Sequence, residues 1–389
     1  VPVLRRAAVR DPNRARDLAL PRVHLDGDAT ALVDDDAVEL VVEVMGGIDQ
    51  ASALIERALR AGKPVVTANK AALAAHGLEL AAVAADRGVS LRYEAAVGAG
   101  LPVVALLRDS LRGDRIGGLE MIINGTTNVI LTRMERDGVG LEEALREARE
   151  RGFAEADPSA DIDGHDAAAK LVLLSRLAFD APLTMADVAR VGIGEVVAQD
   201  LACAALLGGT VKLVASAQLS GEVVTLSVHP TVLLADHPLS GVDDADNAVL
   251  ISSDLAGRVL LGGRGAGGDS TASAVVSDIV ATVRAPSMAP PIPGTAVTVG
   301  DGADVERGGY MRVRLRPVAE ASQLVLQALE DRGIPVRAST LLADPDGGSQ
   351  LALLTGAVAR AMLERATETL DSLAVVAEVA AVMDWAESG

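Results

Sequence analysis

Lysine can do acid–base chemistry that arginine cannot, because an ammonium gives up its proton far more readily than a guanidinium. The chain has 35 basic residues, and only four are lysines: Lys63, Lys70, Lys170 and Lys212. In so arginine-biased a sequence, a retained lysine hints that an amine is required. Lys170 has the densest polar surroundings. The string GFAEADPSADIDGHDAAAKLVLLSRLAF brings Glu155, Asp157, Asp161, Asp163 and Asp166 within twelve residues and then runs into an apolar helix pattern. Asp166 and Lys170 are four apart, so they share a helix face. Acidic residues at a helix start also serve the helix dipole, and an Asp–Lys pair at this spacing is common on surfaces. The run after Lys170 is apolar almost all round, which argues for a buried helix. A lysine among carboxylates at the start of a core helix can donate a proton or anchor an amino-acid substrate. The acidic string fails the calcium-loop pattern, lacking a glycine at the sixth position and a glutamate at the twelfth.

Lys70 stands in VVTANKAALAAHG, where a strand pattern ends and a helix pattern begins. Ligands of open parallel sheets bind at the carboxyl ends of strands, and helix N-termini favour anionic groups. The small residues of YEAAVGAGLP allow close backbone approach to a ligand or offer carbonyls to a cation. INGTTN, from Asn124 to Asn128, places amides and hydroxyls at a turn. GRGAGGDSTASAVVSDI resembles an anion cradle opening a helix near Ser270. The histidines show no metal-ligand spacing; His229 and His237, each before a proline, read as structural.

These residues need a scaffold, and the chain has the apolar content to build one. It has 389 residues, 50% of them hydrophobic, which suits two or three domains and excludes disorder as the main state. A net charge of −19 and 1% aromatic residues argue against nucleic acid. No apolar run is long enough for a membrane helix, and no secretory signal is visible. One cysteine, Cys203, fits a reducing, cytoplasmic setting. Residues 1–105 alternate strand-like runs (VLRRAAVRD, VELVVEVMG, PVVTAN, VSLRYEAAV) with helical patterns. This predicts an α/β parallel sheet with crossover helices, Gly62 and Gly88 sitting where helix C-caps belong. Residues 106–286 read as an α+β domain, and 287–307 as a Pro/Gly-rich linker. Residues 308–389 read as a βαββαβ unit of ferredoxin-like order.

Together, VVEVMGG, GKPVVTANKA, YEAAVGAGLP, INGTTNVILTRM, EADPSADIDGHDAAAKL, VHPTVLLADHPLSGVDDADNAV and GRGAGGDSTASAVVSDI resemble the homoserine dehydrogenase family over nearly the whole chain. The resemblance implies reversible, NAD(P)H-dependent reduction of L-aspartate 4-semialdehyde to L-homoserine, a precursor of threonine and methionine. It implies a Rossmann-like domain, a catalytic and dimerisation domain and a C-terminal ACT regulatory domain with an amino-acid effector, in a homo-oligomer. By motif match, Lys170 is the acid/base, Lys70 lies near nicotinamide and substrate, and Asp161 helps order the site. Glu155 and Asp166 hold the substrate ammonium. Arg10, Gly46, Lys70, Gly265 and Gly267 belong to the cofactor site, with Arg10 meeting a 2′-phosphate and so favouring NADP over NAD. Glu94, Val97, Ala99 and Leu101 bind a structural monovalent cation, Na or K.

Two departures from the family carry expectations of their own. No strand–GxGxxG–helix precedes VLRRAAVRD, so the dinucleotide domain is expected to be N-terminally truncated and to bind NADPH poorly. LRPVAEAS lacks the glycine usual in the first ACT turn, so a weak or absent threonine response is expected. The alternative to an enzyme is a catalytically impaired homologue acting as an amino-acid-binding regulatory protein; the retained Lys70, Lys170, Glu155 and Asp166 favour the enzyme.

Overall fold

The computed structural model describes residues 2–14, 23–285, 297–302, 305–343 and 348–388. Contacts divide the chain into two units: Val1–Arg115 with Ala169–Met185 and Arg264–Val297, and Ile116–Ala168 with Ala186–Gly263 and Thr298–Gly389.

The first unit alternates strand and helix. β1 (Arg6–Ala8) pairs in parallel with β2 (His24–Asp26), and α1 (Ala29–Asp34) follows, capped by Asp28. β3 (Val41–Glu43), α2 (Asp49–Arg60), β4 (Val65–Thr67), α3 (Lys70–Arg87) and β5 (Leu91–Arg92) form a second parallel ladder with its crossover helices. The expected strands and helices are present, the strands shorter than their apolar runs. β2 and α1 were not legible beforehand: a three-residue strand reading HLD carries no alternation. α2 buries Ala51, Ile55, Ala58 and Leu59, one stripe at helical spacing. Gly88 ends α3 in the left-handed region (φ 63°), as its position suggests, while Gly62 stands one residue past the Ala61 cap of α2. A short α4 (Val103–Ala105) closes this stretch.

The second unit is built on a mixed sheet. Its elements are β6 (Ile116–Ile122), α5 (Gly125–Asp137), α6 (Leu141–Glu150), α7 (Ser159–Ile162), the start of α8 (His165–Ala178), β7 (Val188–Arg190), α9 (Ala198–Leu206), β8 (Gly209–Ser220), β9 (Val223–Leu234), β10 (Asp246–Ser253) and β11 (Gly257–Arg264). α10 (Gly268–Arg284) returns to the first unit. From Ala167 to Arg176, α8 is buried on every face, as its sequence predicts.

Of the stretch 287–307, read from sequence as a linker, 297–302 and 305–307 are described. There β12 (Thr298–Val299) lies parallel to Val223–Val224, since TAVTV is rich in strand-favouring β-branched residues. β13 (Glu306–Leu315), α11 (Ala321–Glu330), β14 (Val336–Ala343), β15 (Ser349–Ala359), α12 (Arg360–Asp371) and β16 (Val376–Ala386) follow in βαββαβ order. Their strands run β16-β13-β15-β14, the ferredoxin-like arrangement, over a core of Met311, Val313, Val325, Leu329, Leu353 and Leu370. β16 also pairs with β9 from Asp384↔Thr231 to Ala386↔Leu233, so this sheet continues the one formed by β11-β10-β6-β8-β9. No helix among the described residues is long and apolar enough to cross a membrane.

Candidate active site

In the first unit, polar groups gather at the carboxyl ends of β3 and β4. Gly46 and Gly47 both have φ near 78°, where an L side chain is strained, so this loop after β3 requires glycine. Asn69 is the N-cap of α3: its Oδ1 accepts the Ala72 N–H (3.0 Å). Its Nδ2 donates to the Gly47 carbonyl (2.8 Å), tying the glycine loop to the start of α3, where Lys70 is the first helical residue. Beneath them lies Glu43, buried, with the Thr67 hydroxyl on one carboxylate oxygen (2.6 Å) and the Met45 N–H on the other (2.7 Å). Sequence reasoning missed Glu43 and Thr67, because a lone acidic residue in an apolar strand motif reads as exposed.

β3 and the start of α10 border an apolar cleft of about 580 Å³, lined by Val42, Val44, Gly267, Gly268, Thr271 and Val275. Gly267 caps α10 with φ 122°, a backbone open to glycine alone. Gly265 is buried and Arg10 is exposed just past β1.

Glu94 opens the turn Glu94–Ala96 and caps α4 with its side chain, accepting the Val104 and Ala105 N–H groups (2.8 Å each). Its own N–H donates to Asp278 of α10 (2.8 Å). Burial pushes the Glu94 carboxyl up to about 7 against the pull of those two N–H donors, and burial also raises Asp278. Ala99 has φ 47°, unusual for a residue with a side chain. The carbonyls of Val97 and Ala99 accept no backbone hydrogen bond among the described residues, which leaves them able to face a cation. Carbonyl oxygens suit Na or K, whereas no cluster of three His, Cys, Asp or Glu side chains fit for a metal occurs among the described residues.

In the second unit, Asn124 is the N-cap of α5, its Oδ1 accepting the Thr127 N–H (2.8 Å). Its Nδ2 donates both hydrogens to carboxylates, Asp161 (2.6 Å) and Asp166 (2.9 Å). The acidic string is thus gathered by an amide 37 and 42 residues away. Asp161 lies in α7 and Asp166 in the first turn of α8, one helical turn before the buried Lys170. Glu155 is exposed, its carbonyl accepting from Arg149 (3.4 Å). Asp157 caps the turn at Ser159, so it has a local structural task. His229 and His237 are both hydrogen-bonded within the fold.

Parallel strands with crossover helices, a glycine loop and a helix start at the strands' carboxyl ends define the class: a Rossmann-like domain of the dinucleotide-binding kind. Comparison with known proteins narrows it. A family model for the NAD binding domain of homoserine dehydrogenase matches residues 2–94, and one for homoserine dehydrogenase matches 102–280. A homoserine dehydrogenase of Synechocystis sp. is 37% identical over 96% of this chain and 90% of its own length. The crystal structure of a homoserine dehydrogenase from Thiobacillus denitrificans superposes with a TM-score of 0.91 at 34% identity, covering 99% of this chain and 90% of that one. A hyperthermophilic archaeal homoserine dehydrogenase, solved in complex with NADPH, has a TM-score of 0.59 at 34% identity over 67% of this chain and 76% of that one. The chain belongs to the homoserine dehydrogenase family. It is an oxidoreductase that interconverts L-homoserine and L-aspartate 4-semialdehyde with a nicotinamide cofactor.

Proposed function

We propose that Lys170 is the acid/base of this reaction and that Asp166, with Glu155, holds the substrate ammonium while Asp161 orders the site. The observation that carries this reading is the single Asn124 amide bonded to both Asp161 and Asp166 (2.6 and 2.9 Å) one helical turn before Lys170. The amide fixes the Asp166 carboxylate, which with that of Glu155 attracts the cationic α-ammonium of the substrate, while Asp161 holds the other hydrogen of the same amide. The cofactor, when bound, supplies or accepts the hydride. Hydride arrival at the aldehyde carbon builds negative charge on oxygen. The Lys170 ammonium stabilises that charge and gives the oxygen its proton, and the reverse reaction returns the proton to the amine. Lys70, first in α3, would lie near the nicotinamide and the substrate. Gly46, Gly265 and Gly267 let the backbone approach the cofactor, and Arg10 meets the 2′-phosphate of NADP. That preference draws support from the NADPH bound by the archaeal relative. Glu94, together with the backbone at Val97, Ala99 and Leu101, holds a monovalent cation.

The βαββαβ unit is read as an ACT-type regulatory module and the working protein as a cytoplasmic homo-oligomer. The first ACT turn keeps a left-handed residue without glycine, at Glu320 (φ 62°).

Turnover of Lys170→Ala and Lys170→Arg tests the central assignment. Both variants lose activity if Lys170 transfers the proton, since arginine keeps its own; near-normal turnover of Lys170→Arg removes Lys170 from the role.

A further inference from the structure

Glu43 ends β3 and is 5% exposed. Its two carboxylate oxygens are both taken by neutral donors, the Thr67 hydroxyl and the Met45 N–H. The Thr67 oxygen, having turned its proton to Glu43, accepts the Asn69 N–H (3.0 Å). Asn69 then donates to Gly47, two residues past Met45. The bonds close a circuit: end of β3, end of β4, start of α3, glycine loop and back. Among the described residues no lysine or arginine forms an ion pair with Glu43.

Burying a carboxylate without a cation is unfavourable, and glutamine would fill the same space with no charge. What the carboxylate adds is strength as an acceptor, since hydrogen bonds to an ionised oxygen are shorter and roughly twice as strong as neutral ones. Two such bonds, one to the loop and one to the β4 hydroxyl that carries Asn69, clamp these segments together. Hydride transfer is sensitive to placement on this scale: a misplacement of about 1 Å can cost about 10²-fold in rate.

We propose that Glu43 is a positioning residue for hydride transfer: its carboxylate locks the Gly46–Gly47 loop to the start of α3 and so keeps the cofactor and Lys70 in register. The inference rests on the assignment of Gly46 and Lys70 to the cofactor site.

The test uses the full chain, with steady-state kinetics of homoserine oxidation and NADPH binding followed by fluorescence. Glu43→Ala is expected to lower kcat by about 10- to 100-fold and to weaken NADPH, with KM for homoserine changed by less than about 2-fold. Glu43→Gln, which retains an acceptor for Met45, recovers part of the loss. Thr67→Val, which removes the hydroxyl and keeps the shape, falls between wild type and Glu43→Ala. The double variant is little worse than Glu43→Ala alone, because both act through one circuit. Wild-type kcat and NADPH Kd in Glu43→Ala overturn the proposal. So does an equal loss in every constant that Glu43→Gln does not relieve. If Glu43→Ala does not fold, Thr67→Val with wild-type constants has the same force. Lys70→Ala, measured in parallel, separates the two claims. If it changes neither kcat nor NADPH Kd, the cofactor-site assignment fails; if it changes both while the Glu43 and Thr67 variants change neither, only the positioning role fails.

Discussion

Two asparagines begin two helices of this molecule with the same local chemistry and different reach. Asn69 and Asn124 each cap a helix through Oδ1, on Ala72 and on Thr127. Each leaves an Nδ2 group for something farther off. In the first unit that amide meets a carbonyl of the glycine loop, Gly47. In the second it meets two carboxylates, Asp161 and Asp166. The first arrangement is neutral and fixes backbone against backbone, as a cofactor platform requires. The second gathers negative charge, as a site for an ammonium requires. A cap residue therefore carries no function by itself; the partner of its second polar group assigns one.

The comparison predicts different losses at the two lysines near these caps. Lys170→Ala should lower kcat by about 10²- to 10⁴-fold, the usual span for a general acid. Lys70→Ala should act more on the cofactor side of homoserine oxidation, raising KM for the oxidised cofactor, NADP+, more than KM for homoserine. Steady-state kinetics with each substrate varied in turn reads both, and interchanged effects would break the division of labour.

The caps themselves sharpen the contrast. Asn69→Ala and Asn124→Ala should each lose about 1 kcal/mol of stability with the N-cap, and Asn124→Ala should lose more, because its bonds to Asp161 and Asp166 go as well. Only Asn124→Ala should also raise KM for homoserine by about 10-fold or more, because it releases two charge-assisted hydrogen bonds of about 1.5–3 kcal/mol each. Denaturation midpoints and KM values measured on the same preparations decide this. A KM effect of equal size in Asn69→Ala would make both residues purely structural.

A half-buried histidine of the second unit offers a pH test. His229 of β9 faces Arg307 of β13, Asp384 of β16, Arg360 of α12 and Asp301 around one small cavity, with Thr231 beside its ring. Burial lowers its pKa from the usual histidine value; Asp384 opposes the shift, and Arg307 and Arg360 add to it. The unfolded chain then binds the proton more readily than the folded one. Stability contributed by neutral His229 is present above the unfolded pKa of about 6.5 and is lost as pH falls below it. Urea midpoints from pH 7 down to pH 5 should drop less steeply in His229→Asn than in wild type. Parallel curves would assign the acid sensitivity elsewhere.

The smallest effect belongs to a helix start with no asparagine. Glu320 precedes α11 in the left-handed region, which costs a residue with a side chain about 1–2 kcal/mol. Glu320→Gly removes that strain and adds about 0.4–1 kcal/mol of unfolded-chain entropy. A net gain of about 0–1.6 kcal/mol is expected, seen as a small rise in Tm with unchanged kinetics. A fall in Tm would mean that the Glu320 side chain has a stabilising partner.

Lysine rarity proved a mixed guide. Lys63 places its ammonium on the carbonyls of Val33 and Asp35 (2.7 Å each). Lys212, fully buried, meets Asp243 (2.8 Å) and Asn128 (3.4 Å). Both are structural, because a compact ammonium fits where a planar guanidinium does not. In this chain a retained lysine marks a buried or half-buried cation, and its chemistry has to be read from its neighbours.

By itself, the sequence determined what depends on near neighbours along the chain. The alternation of strands and helices follows from apolar spacing. The caps at Asn69, Asn124 and Gly88 follow from side-chain chemistry and backbone freedom within a few residues. The burial of α8 follows from a run apolar on every face, and the βαββαβ order from successive periods of two and 3.6. Tertiary structure alone decided which distant groups meet. The two hydrogens of the Asn124 amide found carboxylates 37 and 42 residues away. Glu43 found Thr67 across a parallel ladder, 24 residues on. β16 closed on β9, so the sheet runs on where the Pro/Gly-rich composition marked a boundary. Local pattern records how each residue is satisfied by its own helix or strand. A buried donor or acceptor left over must be satisfied by whatever packing brings to it, and that partner has no fixed spacing in the chain.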